Sequence, residues 1–72
     1  MIKVYRMQDL ECAHCAGKME TAIARLAGVE SVSISFMTQK LTIETAEANH
    51  EAIMDEVCKI CRRIEPDCRV LR

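Results

Sequence analysis

The chain has 72 residues, half of them hydrophobic, and its formal net charge is −1 with both signs interspersed along the sequence. This length predicts one domain with a thin core, and the near-zero charge argues against a nucleic-acid partner, because phosphate binding needs a basic excess. No apolar run is long enough to span a bilayer, and the N-terminus does not resemble a signal peptide. We therefore expect a cytoplasmic protein or the cytosolic domain of an inner-membrane protein.

The N-terminal third predicts a strand followed by a helix. Residues 2–7 alternate imperfectly and include β-branched and aromatic types, which favours a strand with Tyr5 and Met7 facing the core. From Ala13 to Ala27 apolar residues recur at helical spacing, and Gly28 follows at the position that commonly closes a helix in the left-handed conformation. The predicted buried stripe of this helix comprises Ala16, Met19, Ile23 and Leu26.

The middle of the chain predicts a β-hairpin. Apolar residues alternate with three serines in residues 31–36, which is typical of a strand with one buried and one solvated face. Residues 37–39 predict a turn, and the alternation of Leu41 and Ile43 with polar residues predicts the third strand.

The C-terminal third predicts a second helix and a short last strand. Asn49 is a candidate helix cap, and an apolar stripe predicts a helix from about His50 to Arg63. Pro66 ends this helix, and Cys68 and Val70 then alternate with polar residues.

The predicted order is strand, helix, strand, strand, helix, strand. Its simplest solution is an α+β fold of the ferredoxin-like βαββαβ type, a four-stranded antiparallel sheet with both helices on one face, and we expect one domain over residues 1–72. This topology brings the first strand-to-helix loop and the end of the second helix to one edge of the sheet. Cys12, Cys15, Cys61 and Cys68 should lie near that edge, and His50 should be a surface residue at the opposite one.

Cys12 and Cys15 form a Cys-x-x-Cys pair where the first strand turns into the helix. Five cysteines without an export signal favour reduced thiols over disulfides. Unpaired backbone N–H groups at the helix N-terminus should lower the pKa of both thiols, and thiolates select soft or borderline ions such as Cu(I), Zn(II), Cd(II) and Pb(II). Two thiols do not fill a structural zinc site, so the pair suits a metal that is handed on.

Other polar residues near the pair are weaker candidates. Glu11 could add a carboxylate oxygen, which would favour divalent ions, or could be a solvated acid near a helix start. His14 is expected to point away from the sulfurs. Cys61 is expected in the core and Cys58 half-buried, although Cys61 or Cys68 could offer a third thiolate. Three of the methionines are expected as core filler: Met7, Met19 and Met54.

The chain resembles the heavy-metal-associated domains of metallochaperones and soft-metal P-type ATPases. Their signature is Gly-Met-x-Cys-x-x-Cys, which residues 9–15 match with Asp9 in place of Gly and Leu10 in place of Met. The resemblance implies that Cys12 and Cys15 are metal ligands. Glu11 occupies the position at which zinc, cadmium and lead exporters carry a third ligand, and residues 36–41 and 64–67 are similar to that branch.

The prediction is therefore a non-enzymatic module that binds Zn(II), Cd(II) or Pb(II) through Cys12, Cys15 and Glu11. Its expected partner is a metal-exporting P-type ATPase, of which it is a domain or to which it is a chaperone, without inserting into the membrane itself. A free-standing copper(I) chaperone is the first alternative. A thiol–disulfide oxidoreductase is disfavoured because no aromatic residue flanks the thiol pair, and a regulatory fold with incidental cysteines is the remaining alternative.

Overall fold

A computed structural model describes all residues from Met1 to Arg72. The helices and strands follow the predicted order, and a short 3-10 turn at 47–49 is added before the second helix. Neither helix has both the length and the apolar character that crossing a membrane requires. The elements are β1 (Ile2–Gln8), α1 (Ala13–Ala24), β2 (Val29–Ser35), β3 (Lys40–Thr45), α2 (His50–Ile64) and β4 (Arg69–Leu71).

The four strands form one antiparallel sheet in the order β2-β3-β1-β4. In the β2–β3 hairpin Val32 pairs with Ile43 and Ile34 pairs with Leu41, so the apolar residues of both strands share one face. The strands that α1 connects, β1 and β2, are separated by β3, and those that α2 connects, β3 and β4, are separated by β1, as the split βαβ arrangement requires. The predicted ferredoxin-like fold is confirmed.

The hydrophobic core lies between the two helices and one face of the sheet. Met7 of β1 and Leu41 and Ile43 of β3 are buried, whereas Ile2 and Val4 on the other face of β1 are exposed. The helices contribute Ala16, Met19, Ile23, Ile53, Met54, Val57 and Cys61. The aliphatic side chains and the three buried methionines confirm the core predicted for these positions.

The first helix ends three residues earlier than predicted. The backbone N–H groups of Arg25 and Leu26 bond to carbonyls three residues back, at 3.2 and 3.0 Å, and this tightening ends the regular helix at Ala24. Gly28 then adopts a φ of 93°, so the predicted left-handed glycine is confirmed. The chain reverses there and enters β2 at Val29.

The predictions for the start of α2 need two corrections. Asn49 does not cap the helix with its side chain, because the 3-10 turn leads directly into α2. His50 is not a surface residue but is 3% exposed. Its Nδ1 hydrogen-bonds the hydroxyl of Thr45 at 2.7 Å and its Nε2 hydrogen-bonds the hydroxyl of Tyr5, so both ring nitrogens are partnered and the ring can be buried.

Candidate metal centre

The loop between β1 and α1 leads into the thiol pair and begins with a sharp backbone reversal. Asp9 adopts a φ of 60°, the left-handed conformation that glycine takes most easily and that Asp tolerates better than most residues. Leu10 follows and is 2% exposed, so its side chain fills the core beneath the loop. The backbone then reaches Cys12, which is the N-cap of α1. Asp9, at the position of the signature glycine, therefore has a backbone conformation that glycine favours.

Cys12 and Cys15 are half-buried and interact directly at the first turn of α1. The Sγ atom of Cys12 accepts a hydrogen bond from the backbone N–H of Cys15 at 3.1 Å. A sulfur at this position satisfies one of the N–H groups that a helix N-terminus leaves without an intrahelical partner. Both thiols therefore lie at the start of α1 in residues that remain partly exposed to solvent.

The two thiols differ in their readiness to ionise. The hydrogen bond from the Cys15 thiol, followed by that from the Cys15 backbone N–H, lowers the pKa of Cys12. Donating the same bond raises the pKa of Cys15, and burial and the charge of Cys12 raise it further. The expectation that both pKa values would be lowered is wrong for Cys15, because two adjacent sulfurs cannot both lose their protons easily until a cation joins them.

Glu65 at the end of α2 lies beside this loop, and the sequence analysis missed it. Its Oε2 atom accepts a hydrogen bond from the backbone N–H of Glu11 at 3.2 Å, and its Oε1 atom is buried without a hydrogen-bond partner. The negative charge of Glu65 contributes to raising the pKa of Cys15 and of Cys68. The topology argument that brought Cys61 and Cys68 to this edge applies equally to Glu65 and could have found it.

The side chain of Glu11 itself is exposed, and the structure records a contact of its backbone only. His14 is also exposed. As the side chains stand, no three His, Cys, Asp or Glu residues surround a point that a metal ion could occupy. The part played by Glu11 in metal binding stays a prediction.

The remaining cysteines are less accessible than the pair. Cys58 is half-buried, and Cys61 and Cys68 are 1% and 3% exposed, as predicted for Cys58 and Cys61. Burial raises the pKa of Cys61 to about 12 and that of Cys68 to about 11. Both thiols are therefore neutral at physiological pH, which is typical of cysteines that act as small core residues.

Comparison with known protein families gives a match that spans most of the chain. Residues 4–63 match the family described as heavy-metal-associated domain. The chain is a heavy-metal-associated domain. Members of this family bind heavy-metal ions, and in this domain Cys12 and Cys15 lie at the start of α1.

Individual relatives fall into two groups. The domain is 40% identical over 40 residues to a zinc/cadmium/lead-transporting P-type ATPase of Escherichia coli, a match that spans 56% of this chain and 6% of the ATPase. It is 25% identical over 71 residues to the copper chaperone CopZ of Enterococcus hirae, which covers 99% of this chain and 100% of the chaperone. The solved structure of the apo copper chaperone of Enterococcus hirae superposes with a TM-score of 0.70 at 25% identity, over 94% of this chain and 97% of that one. The domain is therefore a heavy-metal binding and transfer domain similar to both groups.

Proposed function

We propose that the domain captures Zn(II), Cd(II) or Pb(II) through Cys12 and Cys15 together with one carboxylate, and delivers the ion to a metal-exporting P-type ATPase. The domain acts either as a cytosolic part of such an exporter or as its chaperone. The observation that carries this proposal is the Oε1 atom of Glu65, a buried oxygen without a hydrogen-bond partner on a carboxylate that also bonds the backbone N–H of Glu11 in the metal loop. Buried acceptors are normally satisfied, so an unpaired one at a metal loop is a candidate ligand.

The state of the thiols supports capture of a cation. The pKa of Cys12 is lowered and that of Cys15 is raised in the metal-free domain, and a cation that binds both sulfurs as thiolates displaces the proton of the Cys15 thiol. Loss of that proton removes the donor that now lies between the sulfurs. A carboxylate oxygen as third donor favours divalent ions over Cu(I), which is satisfied by two thiolates.

An under-filled set of ligands also supports transfer. Zinc in structural sites has four protein ligands, whereas this site offers two thiolates and one carboxylate. A thiolate of the receiving protein can therefore bind the ion before a cysteine of the domain releases it. The half-buried position of Cys12 and Cys15 at the start of α1 leaves them open to such an approach.

Two carboxylates compete for the role of third ligand. The family resemblance proposes Glu11, whose exposed side chain has freedom to turn toward the sulfurs. Glu65 is the other candidate for the third metal ligand. One of its carboxylate oxygens accepts a hydrogen bond from the loop backbone, and the other has no hydrogen-bond partner. Either choice keeps the site selective for divalent ions.

The test is the affinity of the reduced domain for Zn(II) and for Cu(I), measured by chelator competition for wild type, Glu11→Gln and Glu65→Gln. We expect at least one of the two variants to lose Zn(II) affinity tenfold or more, about 1.4 kcal/mol, while Cu(I) affinity is unchanged. Asp67→Asn is the matched control, since it removes an exposed negative charge close to the same loop. Unchanged Zn(II) affinity in both variants would contradict the carboxylate and favour copper.

A copper(I) chaperone is the second candidate function. It is favoured by the match to the copper chaperone of Enterococcus hirae, which covers 99% of this chain and 100% of the chaperone. Two thiolates without a carboxylate would bind Cu(I) in near-linear geometry. The same measurement separates the two functions, because only the divalent site depends on Glu11 or Glu65.

A further inference from the structure

Gln39, the last residue of the β2–β3 turn, is held in an unusual backbone conformation. Its φ is 56°, in the left-handed region that favours glycine, and its side chain is half-buried. A residue with a long side chain in this region costs free energy that a glycine would not. The conformation is therefore expected to be stabilised by contacts that the Gln39 side chain makes.

Those contacts connect the turn to the metal loop. The Oε1 atom of Gln39 accepts a hydrogen bond from the backbone N–H of Leu10 at 3.0 Å, and its Nε2 atom donates to the backbone carbonyl of Leu10 at 2.7 Å. Nε2 also donates to the carbonyl of Phe36 at 2.8 Å. One side-chain amide thus satisfies both backbone groups of Leu10, as a neighbouring strand would.

The backbone of Gln39 adds a third hydrogen bond to the segment that contains Leu10. Its carbonyl accepts a hydrogen bond from the N–H of Met7 at 2.7 Å, one residue beyond the last β1–β3 pair, Arg6 with Lys40. Asp9 reverses the chain immediately afterwards, so ordinary strand pairing cannot continue to Leu10. The side chain of Gln39 extends the pairing across that reversal.

We propose that Gln39 is a positioning residue of the metal loop, which fixes the backbone of Leu10 and through it the sulfur of Cys12. The inference rests on the proposed function, since it concerns the same metal site. Leu10 lies two residues before Cys12, and its side chain is anchored in the core. Gln39 therefore binds the backbone of Leu10, while the core holds the Leu10 side chain. Mutation of residues that orient metal ligands typically lowers metal affinity by about 10–100-fold.

The test compares Gln39→Met, which keeps the chain length but removes all three side-chain bonds, with Thr38→Met, which places the same side chain one residue earlier on an exposed position. We expect Gln39→Met to release Cd(II) about tenfold faster to a chelator, by analogy with other residues that orient ligands. Thr38→Met should release it at the wild-type rate. Gln39→Glu still accepts from the Leu10 N–H and should lie between the two.

Amide hydrogen exchange provides a readout that a general loss of stability would not produce. In Gln39→Met the exchange of the Leu10 N–H should accelerate about tenfold, while that of core amides such as Ile23 and Val57 stays at the wild-type rate. Equal Cd(II) release from Gln39→Met, Gln39→Glu and wild type would overturn the inference alone. A wild-type chain that binds no Cd(II) would overturn the proposed function and this inference with it.

Discussion

The carboxylate of Glu65 accepts a hydrogen bond from the backbone N–H of Glu11 at 3.2 Å, across 54 positions of the sequence. This hydrogen bond connects the C-terminal end of α2 to the metal loop. It also places a negative charge beside two thiols that must both become anions when a cation binds. The charge opposes ionisation in the metal-free domain and becomes favourable once the cation is present.

Glu65→Gln should therefore make the metal-free thiols more reactive. Loss of the negative charge lowers the pKa of Cys12 and of Cys15, both of which Glu65 raises in the wild type. Cys12, whose pKa is already lowered by its neighbour, should be alkylated first, and faster than in wild type. The rate of iodoacetamide labelling at neutral pH, followed by mass spectrometry, measures this. Asp67→Asn is the control, and equal rates in wild type and Glu65→Gln would refute the prediction.

The buried Cys61 predicts a loss of stability in alkaline solution. Its folded pKa of about 12 lies above the value of an unfolded thiol, so the unfolded chain loses this proton first as the pH rises. Stability is complete below the unfolded pKa, and above it the free energy of unfolding should fall by about 1.4 kcal/mol per pH unit for this one group.

Urea unfolding of the reduced domain at several pH values above the ordinary thiol pKa checks this slope. Cys61→Ala removes the ionisable group, so its slope should be shallower than that of wild type even if its overall stability is lower. Parallel slopes for the two proteins would show that Cys61 does not cause the alkaline loss.

Two glycines provide a matched pair of substitutions. A Cβ added at Gly28 would lie 2.8 Å from Cδ1 of Ile53, and the φ of 93° is strained for any L side chain. Gly28→Ala should therefore destabilise the domain by about 1–2 kcal/mol. Gly17 lies inside α1 with nothing within 4 Å of an added Cβ, so Gly17→Ala should stabilise by about 0.5–1 kcal/mol. Thermal unfolding measures both, and changes of the same sign would contradict the assignment.

The buried His50 should affect stability without affecting the metal. Thr45→Val leaves the Nδ1 atom of His50 without its partner, which should cost about 1–3 kcal/mol. The 15 residues of α2 separate His50 from the metal loop by about 20 Å at 1.5 Å per residue. Zn(II) affinity should therefore be unchanged in the same variant. A parallel loss of affinity and stability would show that the two ends of α2 are coupled.

The order of the elements could be read from the sequence, because each depends on a local pattern. The alternation in β2 and β3, the helical spacing of Met19 and Ile23, and the left-handed Gly28 all follow from the conformational preferences of neighbouring residues. Element ends were less predictable: α1 was expected to continue to Ala27, and the last turn was decided by i to i−3 hydrogen bonds.

The thiol pair was also evident from the sequence, whereas its surroundings were not. The spacing of Cys12 and Cys15 placed both at a helix start, but the opposite shifts of their pKa values depend on one hydrogen bond between the two side chains. The hydrogen bond of His50 with Thr45 and that of Glu65 with the Glu11 backbone each join residues from different parts of the fold. No local sequence pattern predicts such contacts.

The sequence by itself therefore determined the six elements, the apolar faces that pack them and the position of the two thiols, since periodicity and helix-terminus chemistry are properties of short segments. Only the tertiary structure decided that Gln39 bonds the backbone of Leu10 and that Glu65 lies beside the thiols. Such contacts depend on how elements distant in sequence approach one another, and hydrogen bonds and charge interactions change steeply over one or two ångströms.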